Sequence, residues 1–167
     1  IQDELANFLR QTGPSLSPFN AWVMLKALET LALRVDAHCH NAEKVTELLV
    51  NHPQIERVYY PSHASHPQHE LAMKQMSRGG NLIAFDVKGG KANAFKFANA
   101  MQIALISNNL GDAKTLITHP ATTTHFKLDE AAKTELGISG GSMRVSIGLE
   151  DSDDLVHDFD QALAQLA

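Results

Sequence analysis

Apolar residues recur at helical spacing over a long stretch, at Met24, Leu25, Leu28, Leu31, Ala32 and Val35 and again at Ala42, Val45, Leu48 and Leu49. No glycine or proline interrupts the run before Asn51-His52-Pro53. The pattern predicts one long helix or two nearly collinear ones, with Ser17 as cap and Pro18 in the first turn, where a proline loses no needed hydrogen bond. Ile55 to Tyr60 and Leu82 to Val87 read as strands, the first ended by Pro61 and the second set between glycine pairs. Between them, His66 to Met76 suits a short helix. Ala92 to Met101 reads as another helix, Ile103 to Ile106 as a short strand, and Asp112 to Thr118 as one or two helical turns capped by Asp112. Leu128 to Leu136 reads as a helix stopped by Gly137, and Met143 to Ile147 as a strand. A final helix over Ser152 to Leu166 has Ser152 as cap, Asp153 and Asp154 against the positive end of its dipole, and an apolar face of Leu155, Phe159, Leu163 and Leu166.

Strands and helices in rough alternation after a long helix predict an α/β (α+β) layer, a small mostly antiparallel sheet with helices packed on it. The expected organisation is an amino-terminal segment with the long helix over residues 1–52 and a small domain over residues 53–167. Composition fits a folded domain: 44% of the 167 residues are hydrophobic and 20% charged, with no low-complexity stretch. The net charge of −5 is spread along the chain without a basic stripe, which argues against nucleic acid as a partner. No apolar run is long enough to cross a bilayer, and Ile1-Gln2-Asp3-Glu4 lacks the order of a signal peptide, so a cytoplasmic location is expected. The one cysteine, Cys39, makes no internal disulfide, which fits a reducing compartment.

The candidate chemistry centres on Arg144, a lone cation between apolar strand residues and the Gly148 turn. A guanidinium presents a planar fork of donors matching a carboxylate, so one reading is a receptor for a small acid. The other is an arginine paired with a neighbouring Asp or Glu. The loop Ser107-Asn108-Asn109-Leu110-Gly111-Asp112 follows a strand and precedes the expected helical turn, a place that suits an anion. His119-Pro120-Ala121-Thr122-Thr123-Thr124-His125 adds hydroxyls at a proline-fixed turn, and those hydroxyls also read as self-capping turn residues. His63, His66 and His69 have a metal-like spacing that Pro67 breaks. His38-Cys39-His40 lies within the long helix, where adjacent side chains diverge, and reads as solvent-exposed. No metal is expected. Gly89-Gly90-Lys91 and Gly140-Gly141-Ser142 read as turns, not phosphate cradles.

Four segments in order resemble the carboxyl-terminal part of the Cys/Met-metabolism family of pyridoxal-phosphate enzymes. They are Thr12 to Trp22 with Leu28 to Arg34, Asn109-Leu110-Gly111-Asp112, His119 to His125, and Arg144-Val145-Ser146-Ile147-Gly148-Leu149-Glu150-Asp151. The match covers essentially the whole chain, and the Asn-bearing loop looks most like that of the O-succinylhomoserine sulfhydrylases, whereas many other relatives, including cystathionine synthases and lyases and methionine γ-lyases, have serine at the position of Asn109. The resemblance implies the small domain of a fold-type I enzyme, in which Arg144 holds the substrate α-carboxylate, Asn109 lies beside it and Thr124 stands close enough to orient the guanidinium.

It further implies pyridoxal 5'-phosphate in the intact enzyme, an acyl-homoserine substrate, a sulfur nucleophile, γ-replacement chemistry in methionine biosynthesis and a homotetramer. None of the nine lysines has the Ser-x-Thr-Lys-like context of the cofactor lysine. The expectation is therefore a carboxyl-terminal fragment without catalytic residues or bound cofactor of its own, inactive alone. The alternative is a stand-alone amino-acid-binding or regulatory module.

Overall fold

The computed structural model of the chain describes residues 1–166, which form two compact units, residues 1–33 and the remainder from Arg34. The first unit carries α1 (Gln2–Thr12) and α2 (Pro18–Glu29). Helix α1 was not among the expected elements; it runs into Gly13, whose left-handed backbone donates its N–H to the Leu9 carbonyl. Ser17 caps α2 as expected, its hydroxyl accepting the Asn20 N–H at 3.1 Å. The long helix is interrupted at Thr30, after which α3 runs from Leu31 to Asn51.

The second unit contains a five-stranded sheet: β1 (Ile55–Tyr59), β2 (Leu82–Val87), β3 (Leu105–Ile106), β4 (Leu116–Thr118) and β5 (Ser142–Ser146). Its order is β1-β2-β5-β4-β3, antiparallel throughout except for the β3–β4 pair, the mostly antiparallel sheet the sequence predicts. The helices of this unit are the rest of α3, α4 (His69–Gln75), α5 (Gly90–Ala100), α6 (Glu130–Glu135) and α7 (Ser152–Ala164).

The structure departs from three expectations. Asp112 to Thr118 is not helical: Asp112 accepts the Lys114 N–H at 3.0 Å in a local turn, and Leu116–Thr118 continues as β4, where pairing on both sides overrides the weak helical pattern. The cap of α7 is Asp151, one residue before Ser152, its carboxylate accepting the Asp153 and Asp154 N–H groups at 2.9 and 3.3 Å. His38 and Cys39 are buried, not exposed.

Side chains alternate across the strands, so Ile83, Phe85 and Val87 of β2 and Met143 and Val145 of β5 face the helices. They meet Ala42, Val45 and Leu49 of α3, Ala94 and Phe97 of α5, and Leu155, Phe159, Ala162 and Leu163 of α7. Phe97 stands between Phe85 and Phe159, with ring centroids 5.8 and 5.9 Å away. The alternate residues, including Tyr59, Ala84, Asp86, Ser142 and Arg144, therefore lie on the opposite face of the sheet.

Tyr60, just past β1, is fully buried and donates its hydroxyl to the Gly80 carbonyl at 2.8 Å. Burial, which disfavours the phenolate, pushes its pKa from 10.0 up to about 12. A raised value in the fold means the stabilisation is complete below the unfolded value and is lost as pH rises through the folded one. Stability against urea should fall between pH 10.0 and about 12, and Tyr60→Phe should lessen that fall; an unchanged slope would contradict the assignment.

Candidate functional site

Arg144 sits mid-strand on the face away from the helical core, directly opposite Ala84 on β2 and Thr118 on β4. The small Ala84 leaves room above the sheet, and Tyr59 of β1 follows next in the same row. Opposed side chains in such pairs stand about 5 Å apart, so the row forms a continuous floor. Over it lies a cavity of ≈ 330 Å³ whose walls include Tyr59, Asp86, Pro120, His125, Ile138 and Arg144. That volume suits a small molecule.

The guanidinium is held by backbone, not by an acid. Its Nη2 donates to the Asn108 carbonyl at 2.7 Å and to the Asn109 carbonyl at 3.4 Å. Among the described residues no carboxylate pairs with it, which removes the ion-pair alternative. Asp86, the acid on the same face, is turned to the hydroxyls of Ser139 and Ser142, which donate to its Oδ1. The Nε of Arg144 is buried and has no hydrogen-bond partner. An unpaired buried donor costs about 1–3 kcal/mol, more when charged, a local cost that no group among the described residues relieves.

Neither of the other two expected site residues lines this cavity. Asn109 contributes through its main chain, as just described. Thr124 makes no hydrogen bond to Arg144; its hydroxyl pairs with Nδ1 of His125 at 2.8 Å, and His125 lines the cavity. The loop before β4 positions Asn108 and Asn109 even though no helix follows it. Thr118 Oγ1 donates to Asn108 Oδ1 at 2.8 Å, and the Gly111 N–H donates to the Ser146 hydroxyl at 2.9 Å.

A second set of contacts fixes the ends of β4 and β5. The Glu150 carboxylate accepts the Thr115 N–H at 2.6 Å and the Thr115 hydroxyl at 2.8 Å, while the Gly148 N–H donates to Thr115 Oγ1 at 2.8 Å. A side chain at Gly148 would place its Cβ 2.5 Å from the Ala113 carbonyl oxygen, so this close approach requires glycine. From α3, Asn41 donates to the Gly148 and Glu150 carbonyls at 3.1 and 2.8 Å, and His38 Nδ1 lies 2.7 Å from the Ile147 carbonyl, which fixes its proton on that nitrogen. Burial of His38 thus serves the strand that carries Arg144.

Sequence reasoning missed Thr118, Ser146 and the Asn108 carbonyl. Ser146 was detectable: Ser142, Arg144 and Ser146 recur every second residue in an otherwise apolar strand, the signature of one polar face. The histidines at 63, 66 and 69 are occupied within their own turns, with Nδ1 atoms near Ser65 Oγ at 2.7 Å, the Gln68 N–H at 3.2 Å and the Pro61 carbonyl at 3.1 Å. Among the described residues no three metal-ligating side chains converge. None of the described helices is long and apolar enough to cross a membrane.

The model of the Cys/Met metabolism PLP-dependent enzymes matches residues 1–164. An O-succinylhomoserine sulfhydrylase of Pseudomonas aeruginosa is 50% identical over 163 residues, 98% of this chain and 40% of the relative. One from Mycobacterium tuberculosis is 46% identical over 98% of this chain and 41% of its own length. An L-methionine gamma-lyase of Pseudomonas putida is 45% identical over 91% of this chain and 38% of the relative. Among solved structures, cystathionine gamma synthase of Xanthomonas oryzae superposes with a TM-score of 0.87 at 35% identity, covering 98% of this chain and 42% of that one. A Campylobacter jejuni chain carrying an N'-pyridoxyl-lysine-5'-monophosphate gives 0.87 at 44% identity, over 94% of this chain and 38% of that one. The chain thus spans about two-fifths of the length of these sulfhydrylases. Its fold, the sheet face around Arg144 and the match over nearly every residue lead to one statement: the chain belongs to the Cys/Met metabolism family of pyridoxal-phosphate-dependent enzymes.

Proposed function

We propose that this chain supplies the α-carboxylate-binding face of an enzyme that replaces the γ-substituent of an acyl-homoserine with a sulfur nucleophile. The observation that carries the reading is the Arg144 guanidinium, anchored by two carbonyls on the wall of a cavity and paired with no carboxylate among the described residues. In this reading Arg144 binds and orients the carboxylate, the Asn108 and Asn109 carbonyls fix the guanidinium, and Thr124 acts on the cavity wall through His125. Pro120, Leu136 and Ile138 give the same cavity an apolar wall.

The residues of this face do not fit the cofactor itself: none of the nine lysines lines the Arg144 cavity, so no chemical step is assigned to this chain through pyridoxal phosphate. The chain's share is substrate orientation within a longer protein that holds the cofactor elsewhere. The likeness to sulfhydrylases of Pseudomonas aeruginosa and Mycobacterium tuberculosis supports the succinyl ester as substrate and replacement over elimination. Supplied with O-succinylhomoserine and sulfide, the intact protein should release homocysteine and succinate in equal amounts. Faster release of ammonia and a keto acid from methionine would overturn the choice of reaction, and amino-acid binding without turnover would favour a stand-alone binding module.

A further inference from the structure

The loop that holds Arg144 is itself held at a buried point on β5. Ser146 lies two residues beyond Arg144 on the same face of β5 and is fully buried. A hydroxyl at such a place is unfavourable unless hydrogen-bonded. Its Oγ accepts the Gly111 N–H at 2.9 Å and the Asn81 side-chain amide at 3.1 Å. Gly111 has φ of 77°, the left-handed region that favours glycine, at the turn where the loop leaves Asn109 and Leu110. Asn81 is tied in turn to the end of β5: its carbonyl accepts the Ile147 N–H at 2.9 Å and its amide reaches the Ile147 carbonyl at 3.3 Å. Arg144 and the loop opposite it are thus referenced to the same strand, one through the covalent chain and the other through the Ser146 hydroxyl. Thr118, the partner of Arg144 across the β4–β5 pair, adds a second tether at the Asn108 side chain.

We propose that Ser146 is a positioning residue for the carboxylate site: its hydroxyl fixes the loop over residues 107–111 so that the Asn108 and Asn109 carbonyls hold the Arg144 guanidinium in its binding orientation. This rests on the reading of Arg144 as the carboxylate clamp. Removing the hydroxyl leaves the Gly111 N–H unpaired and frees the loop, so the guanidinium loses a defined direction while keeping its charge.

The test is a double-mutant cycle in the intact enzyme with Ser146→Ala and Arg144→Ala, read as KM for the acyl-homoserine and kcat separately. Ser146→Ala should raise KM about 10-fold with kcat changed less than about 3-fold, and should have no further effect on KM in the Arg144→Ala background. A merely structural serine would lower activity equally in both backgrounds, and that result overturns the proposal. If Arg144→Ala alone leaves KM unchanged, the clamp reading fails; if it raises KM while Ser146→Ala does not, only the positioning role fails. Should Ser146→Ala not fold, Thr118→Val, which keeps shape and removes the second tether, should give a rise in KM of about 3-fold that vanishes in the Arg144→Ala background. Additive effects of that variant would equally overturn the proposal.

Discussion

Replacing Arg144 with alanine should raise the KM of the intact enzyme for its amino-acid substrate by on the order of 10²–10³-fold, with a smaller effect on kcat. The magnitude follows from the donors involved. Charge-assisted hydrogen bonds contribute about 1.5–3 kcal/mol each, and a carboxylate takes two of them from a guanidinium. Truncation also leaves the Asn108 and Asn109 carbonyls without the donor they now share. Lysine at this position would restore the charge without the planar fork, so Arg144→Lys should recover only part of the loss. Because the side chain lies on the sheet face away from the helical core, its truncation should leave the unfolding midpoint nearly unchanged; a large drop in stability would show that Arg144 serves the fold instead.

The largest expected effect on stability lies far from that face. Asp158 on α7 is buried, and its carboxylate accepts three backbone N–H groups, from Gln102 at 2.7 Å, Ile103 at 2.9 Å and Ala104 at 3.1 Å. These donors belong to the irregular segment between α5 and β3, which has no ladder to satisfy them there. Gln161 completes the arrangement, donating to Asp158 Oδ1 at 3.1 Å and to the Ala100 carbonyl at 2.8 Å. Asp158→Ala orphans all three donors and should cost about 3–5 kcal/mol, measured as a lower urea midpoint with an unchanged slope. Asp158→Asn keeps one acceptor and turns a donor toward the N–H groups, so it should fall between the two. A loss below about 1 kcal/mol for the alanine variant would mean that water or a shifted loop replaces the carboxylate.

What the sequence discloses and what it hides divide along physical lines. Helix α7 and strands β2 and β5 are legible because each carries a sustained period and clear ends, and each supplies core residues. Strand β4 is hidden because three residues are too few to show alternation, and its identity comes from pairing with β5 and β3. Helix α1 went unread although Leu5, Phe8 and Leu9 recur at helical spacing within Gln2–Thr12. Arg144 is legible as a cation that an apolar strand does not need. Its partners are hidden because they are carbonyls, which every residue has, and no side-chain pattern distinguishes those of Asn108 and Asn109. The loop over residues 107–112 reads as an anion site at the start of a helix, but no helix follows it and two of its carbonyls face the Arg144 cation instead. His38 reads as exposed from its place beside His40, whereas tertiary packing buries it to serve the end of β5.

Whether Arg144 reads the α-carboxylate is decided by comparing O-succinylhomoserine with its α-carboxamide in the intact enzyme and in Arg144→Ala. The enzyme with arginine should prefer the carboxylate by about 10²-fold or more in kcat/KM, and the alanine variant should barely distinguish the two. Discrimination that persists without Arg144 would contradict it.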